Sequence, residues 1–194
     1  MNAYPLPMKA ALIAGFGVCL ALLGACGDGA KPPAETPSPD VATFSLTGEA
    51  FGDDESIPER FTCDGENVSP ALAWDGAPAE TTAYALIMDD PDAPGGTFTH
   101  WVLFDLPAET RGMPEGVETS ERPLVGGVQG GNDADSIGYA GPCPPSGLPH
   151  RYRFTVYALD VPVNLDPGAK KQEVLGAMEG HILARAELVG TYGR

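Results

Sequence analysis

Positive charge is scarce in this chain: 11 Lys and Arg stand against 27 Asp and Glu in 194 residues, a formal charge of −16. Nothing here could neutralise a row of phosphates, which excludes nucleic acid as a partner. Histidine is also sparse, three in all. Neither Cys63 nor Cys143 has a second cysteine or histidine at ligand spacing, so no metal site is expected. No G-x-S-x-G nucleophile elbow occurs. The glycine-rich run Gly126–Gly131 lacks dinucleotide spacing and follows no strand-to-helix unit, which makes it a loop and leaves no cofactor to expect. Helical periodicity is confined to one segment near the C-terminus.

Glycine and proline are plentiful, 25 and 20 residues, and they punctuate short apolar runs, which favours many turns and strands. Residues 43–51, 82–88, 100–106 and 151–160 alternate or form short apolar runs and are expected to be strands. In the last of these, Tyr152, Phe154, Val156 and Ala158 share one face and Arg151, Arg153, Thr155 and Tyr157 the other. Val174, Leu175, Met178, Ile182, Leu183 and Ala186 follow a 3.6-residue stripe, so a C-terminal helix ending near Gly190 is expected, weakened or split at Gly180, with His181 a packed or partly exposed residue within it rather than a ligand. The fold class is therefore all-β, an antiparallel sandwich or barrel with peripheral short helices.

At the N-terminus, Lys9 precedes the apolar run Ala10–Leu23 and then Leu23-Gly24-Ala25-Cys26. A basic residue, a run too short for a membrane span and a small-residue site read as a secretory signal over 1–25. Met8 is an alternative start. Leu-Gly-Ala-Cys resembles the lipobox of bacterial lipoproteins, in which Cys26 would become the lipid-bearing first residue. That resemblance places the protein in the bacterial cell envelope, facing the periplasm and held to the membrane by acyl chains on Cys26. Residues 26–42, rich in Pro and Ala, read as a tether, and 43–194 as one folded domain. With Cys19 removed and Cys26 lipidated, Cys63 and Cys143 remain, and an exported pair is expected to be a disulfide that orders the loop around Cys143. Zinc is the weaker alternative.

Two stiff loops carry the candidate chemistry. Asp90-Pro91-Asp92-Ala93-Pro94 fixes two carboxylates between donor-free prolines and leads to His100. Taken locally, such a turn is also a structural Asx motif. Gly141-Pro142-Cys143-Pro144-Pro145 leads to His150-Arg151-Tyr152. Two rigid loops, each feeding a histidine onto a strand edge, suit a small preformed pocket.

DPDAP followed by His100-Trp101, and GPCPP followed by His150-Arg151-Tyr152, resemble the phosphatidylethanolamine-binding protein family, which includes the Raf kinase inhibitor proteins. FTCDGENVSPALAW (61–74), GGNDADSIGYAGPCPP (130–145) and GHILARAELVGTYGR at the C-terminus match its bacterial branch, so the likeness runs from about Thr43 to Arg194. It implies a large central antiparallel sheet with a small second sheet. It also implies an anion pocket lined by Asp90, Asp92, His100, the Gly141–Pro145 loop, His150 and Tyr152. Imidazole N–H groups and the tyrosine hydroxyl would donate to a small anionic or phosphorylated ligand, and the aspartates would hold a histidine in one tautomer and raise its pKa. The bacterial branch lacks much of the C-terminal region that closes the pocket in eukaryotic relatives.

Three functions remain open. The first is a non-catalytic, membrane-tethered binding protein for a small anion, a phospholipid headgroup among the candidates. The second is an inhibitor or regulator of a protein partner, as eukaryotic relatives are of kinases and a carboxypeptidase. The third is a weak hydrolase using histidine and aspartate.

Overall fold

The computed structural model describes residues 44–194. The signal segment 1–25, Cys26 and the tether 26–42 lie outside the described residues. In chain order the elements are β1 (Ser45–Gly48), β2 (Glu55–Ser56), β3 (Leu72–Asp75), β4 (Ala83–Asp90), β5 (Phe98–Pro107), β6 (Gly112–Met113), β7 (Val128–Gln129), β8 (His150–Leu159), α1 (Lys171–Met178) and β9 (Ile182–Tyr192). A six-stranded sheet runs β2-β9-β8-β4-β5-β7, and a three-stranded sheet runs β1-β3-β6. Pairing is antiparallel throughout except between β2 and β9. The fold is all-β with a large and a small sheet, as expected.

Period-two alternation sorts the side chains of the large sheet. Tyr84, Leu86 and Met88 of β4 point with Trp101 and Leu103 of β5 and Tyr152, Phe154 and Val156 of β8 into a core shared with Leu46, Leu72 and Trp74 of the small sheet. The intervening Ala85 and Ile87 face the other side, where Val102, Phe104 and Leu159 pack beneath Val174 and Met178 of α1. Because β4 is covered on both faces, its sequence AYALIM is a continuous apolar run. The helix docks through two buried residues, Val174 and Met178, each worth roughly 1.5–3 kcal/mol relative to exposure.

The C-terminal helix is shorter than the periodicity predicts. It ends at Met178, and Gly180 follows with φ of 81°, a left-handed conformation that closes a helix. Residues 182–192 are instead a strand that pairs with β8 along its length, from Leu159↔Ile182 to His150↔Tyr192. Ile182 and Leu183 are substantially exposed, so they do not extend the helix's apolar stripe, whereas Ala186 and Leu188 are buried at period two. Long-range pairing outweighs the helical propensity of Ala, Arg, Glu and Leu. His181 lies in the turn between the two elements, its Nδ1 2.9 Å from Asp160 Oδ1.

Candidate functional site

The ends of three neighbouring strands meet at one edge of the large sheet. Asp90 closes β4 opposite Phe98, which opens β5, and β8 begins at His150 on the other side of β4. Above these ends, the Ala93–Pro94 turn and the Gly141–Pro145 loop form the walls of a cavity of about 220 Å³. His100 and His150 both line it, and Asp90 lies at its base.

Asp90 is buried and fully engaged. Its Oδ1 accepts the Asp92 N–H at 2.8 Å, the Asx turn anticipated for this segment, and its Oδ2 lies 2.7 Å from His150 Nδ1. A carboxylate can only accept, so Nδ1 of His150 carries the proton and Nε2 is left for the cavity. His100 is set by a different acceptor, the Ala140 carbonyl, 2.7 Å from its Nδ1. Its ring packs between Phe98, 4.8 Å away centroid to centroid, and the edge of Tyr152 at 5.2 Å. Burial pushes the His100 pKa below its ordinary value, against the opposing pull of the Ala140 hydrogen bond and of Asp90, Asp89 and Asp133. Burial thus works against protonation of this ring; of the two histidines that the sequence reading offered as partners of the aspartates, Asp90 is hydrogen-bonded to His150.

Two expected pocket residues do not line the cavity. Asp92 turns outward to Arg151, accepting from its Nε at 2.9 Å, its terminal nitrogen at 2.7 Å and its backbone N–H at 3.0 Å. This bidentate pairing, first through the Arg151 side chain, holds the Asp92 carboxyl well below the usual carboxylate range. Tyr152 lies beneath the floor, fully buried, with a hydroxyl that has no hydrogen-bond partner among the described residues. Burial first, and Asp90 next, raise its pKa, so the phenol stays protonated.

The Gly141–Pro145 loop is fastened to residues 61–67. Gly141 N–H donates to Asn67 Oδ1 at 2.8 Å, Cys63 N–H to the Pro142 carbonyl at 3.0 Å, and the Tyr139 hydroxyl to the Phe61 carbonyl at 2.7 Å. The Cys63 and Cys143 sulfurs are at bonding distance, 2.02 Å. A Cβ on Gly141 would lie 2.5 Å from both Asn67 Oδ1 and the Phe61 carbonyl, so only glycine allows this approach. Sequence reasoning did not name Ala93, Pro94, Phe98, Ala134 and Ala140 as lining residues, and these complete the wall. Phe98 was accessible from period two, being two residues before His100; Ala134 carries no such signal. It also missed Asn132, a buried residue whose Oδ1 accepts from the Ala134 and Ser136 N–H groups and shapes that wall. Among the described residues no cluster of three or more His, Cys, Asp or Glu could hold a metal ion, and no helix is long and apolar enough to cross a membrane.

The arrangement is a small, rigid, largely apolar recess with two oriented imidazoles. Comparison with known proteins gives consistent likenesses. The family model described as phosphatidylethanolamine-binding protein matches residues 47–193. A UPF0098 protein of Methanothermobacter thermautotrophicus is 54% identical over 78% of this chain and 99% of its own. LppC of Mycobacterium tuberculosis, described by its name as a lipoprotein, is 36% identical over 92% of this chain and 93% of its own. Among solved structures, a phosphatidylethanolamine-binding protein homologue from Chlamydia trachomatis superposes with a TM-score of 0.73 at 39% identity, and E. coli YbcL with 0.74 at 32%; each match covers 79% of this chain and 99% of the other.

Proposed function

The chain belongs to the phosphatidylethanolamine-binding protein family, and from that premise we propose that it is a non-catalytic, lipid-anchored envelope protein whose pocket captures a small anionic or phosphorylated ligand. The observation that carries this reading is the pinning of both histidines through Nδ1, by Ala140 and by Asp90, at a rigid cavity they share. Ring orientation is fixed before the ligand arrives, so little ordering entropy is lost on binding. Among the described residues no hydroxyl group lines the cavity, and the Cys143 sulfur is bonded to Cys63, which favours binding over covalent catalysis. The anchor rests on the lipobox at Cys26 and on the lipoprotein name of the LppC relative.

A second reading, regulation of a protein partner, is favoured by Leu148. This apolar side chain is 87% exposed on a shelf that it shares with Pro149 and that adjoins His150. It would give a partner's chain an apolar foothold at the mouth of the recess. The test is an NMR titration of the full chain in detergent with phosphate, phosphoethanolamine and acetate. Saturable shifts confined to the His100 and His150 rings and the two proline loops are expected. Unmoved histidine signals at millimolar ligand would sink the anion-pocket reading and turn attention to Leu148.

A further inference from the structure

Two arginines of this acid-rich chain show how its guanidinium groups are satisfied. Arg151 grips Asp92 through Nε and Nη2, and Arg60 reaches Glu66 and Glu115 through the same two nitrogens. Arg111 is held differently. Its Nη1 donates to the Ala108 and Thr110 carbonyls at 2.8 and 2.9 Å and reaches the Tyr84 hydroxyl at 3.4 Å, whereas its Nε and Nη2 make no hydrogen bond among the described residues. A planar guanidinium anchored through one nitrogen keeps the opposite edge as a ready fork for a carboxylate. The backbone beneath it is also fixed, because the Trp74 N–H donates to the Arg111 carbonyl at 2.9 Å and the Trp74 indole to the Thr110 carbonyl at 3.1 Å.

Arg111 lines a cavity of about 450 Å³ at the far ends of β4 and β5 from the histidine recess, where Ala83 pairs with Pro107. That volume lies within the range of about 300–1,000 Å³ of small-molecule sites. Its lining is aromatic at Trp74 and Tyr84 and made of small apolar side chains at Ala77, Pro78, Ala79 and Ala108. The turn that carries Pro78 is closed by the Thr81 N–H and hydroxyl, which both donate to the Pro78 carbonyl, at 3.1 and 2.7 Å. Asp75 and Glu109 line the cavity as well, yet neither pairs with Arg111 among the described residues. Asp75 gives one oxygen to the Gly76 N–H at 2.8 Å and keeps the other. The cavity thus presents a cation and two carboxylates on separate side chains around an apolar middle.

We propose that this cavity is a second binding site, separate from the histidine recess, for a small zwitterion with an apolar body, namely an apolar amino acid. Its carboxylate sits on the Nε–Nη2 edge of Arg111, its ammonium faces Asp75 and Glu109, and its side chain lies along the alanine and proline wall. An inorganic dianion is a poor occupant, because it would meet two like charges for one opposite charge.

The test is an NMR titration of the full chain in detergent with leucine, N-acetyl-leucine, which lacks the ammonium, and leucine amide, which lacks the carboxylate. The reporters are the Arg111 Nε–H and the indole N–H of Trp74, bonded to the same Thr110 carbonyl that holds Arg111. The controls are His100, His150 and the Trp101 indole, which is bonded to Gln129 in the core. Leucine should shift both reporters saturably at millimolar concentration and leave the controls still. Each blocked form should bind at least about tenfold more weakly, the factor for leaving a charged group without its partner. Arg111→Lys keeps the charge and loses the fork, so it should bind leucine at least about tenfold more weakly, with unmoved control signals showing that the domain is folded. Glu109→Gln should lower leucine affinity and leave that of N-acetyl-leucine unchanged. Equal binding of leucine and either blocked form, undiminished binding by Arg111→Lys, or a still Trp74 signal at tens of millimolar leucine would overturn the inference. Phosphate moving Trp74 as strongly as leucine, or leucine moving the histidines in place of Trp74, would overturn it too.

Discussion

Removing the Cys63–Cys143 cross-link is the most quantitative perturbation the fold offers. The bridge closes a loop with a sequence separation of 80 residues. In the chain-entropy model such a loop restricts the unfolded chain by about 15 cal/mol/K, or about 4.5 kcal/mol at 25 °C. For a domain of this size each kcal/mol moves the midpoint by about 2–4 °C, so Cys63→Ala with Cys143→Ala should melt about 9–18 °C lower. The native loop keeps its other fastenings, the Gly141–Asn67, Cys63–Pro142 and Tyr139–Phe61 hydrogen bonds. Most of the loss should therefore arise in the unfolded state, and the folded variant should still show the ligand-induced shifts at His100 and His150. Urea unfolding of the oxidised protein and the double variant, with the titration repeated on each, measures both quantities. A stability loss below about 1.5 kcal/mol would refute the loop-closure reasoning. Loss of the ligand shifts at a temperature where the variant is folded would show instead that the bridge orders the pocket itself.

Three further outcomes are expected. In Asp90→Asn, the Asp92 N–H still requires an acceptor, which leaves the new amide nitrogen facing His150 Nδ1. The ring should switch to its Nε2–H tautomer, read from its ring nitrogen shifts, with a loss of about 1–3 kcal/mol; an unchanged tautomer would contradict the assigned bond. Gly141→Ala should cost about 1–3 kcal/mol through overpacking against Asn67 and Phe61, and unaltered urea stability would show that the two segments are free to part. Because burial lowers the His100 pKa, the unfolded chain takes up a proton that the folded one refuses. Stability should fall as pH drops below about 6.5, by at most about 1.4 kcal/mol per pH unit from this group. His100→Phe should flatten that part of the profile, and an equally steep profile in the variant would assign the dependence elsewhere.

Much of this architecture is legible in the residues, and the misreadings have local causes. β4, β5 and β8 announce themselves because each is apolar on at least one face, so period two or a continuous run survives in the sequence. β9 does not, because its Ala-Arg-Ala-Glu-Leu chemistry suits a helix and its strand identity comes from β8, whose nearest pair with it, Leu159↔Ile182, already spans 23 residues. At the site, Asp90, His100, His150 and the GPCPP loop could be named from motifs. Which of two nearby carboxylates faces inward could not, since the turn at Pro91 sends Asp92 to Arg151. The His100 tautomer was hidden for a similar reason: it depends on the Ala140 carbonyl, a backbone atom that no side-chain pattern reveals.

The recess also divides into parts that differ in their freedom to change. Gly141 is wedged between Asn67 and Phe61, and both Asp90 oxygens are occupied, so the chemistry at the base is locked to the scaffold. Ala93 and Ala134, by contrast, present only methyl groups from the turn and the loop that form the walls. Enlarging or recharging those two side chains would alter the size and taste of the recess without disturbing a strand. The recess thus has a fixed base beneath an interchangeable aperture, a layout from which new ligand preferences, natural or engineered, can arise in one or two substitutions.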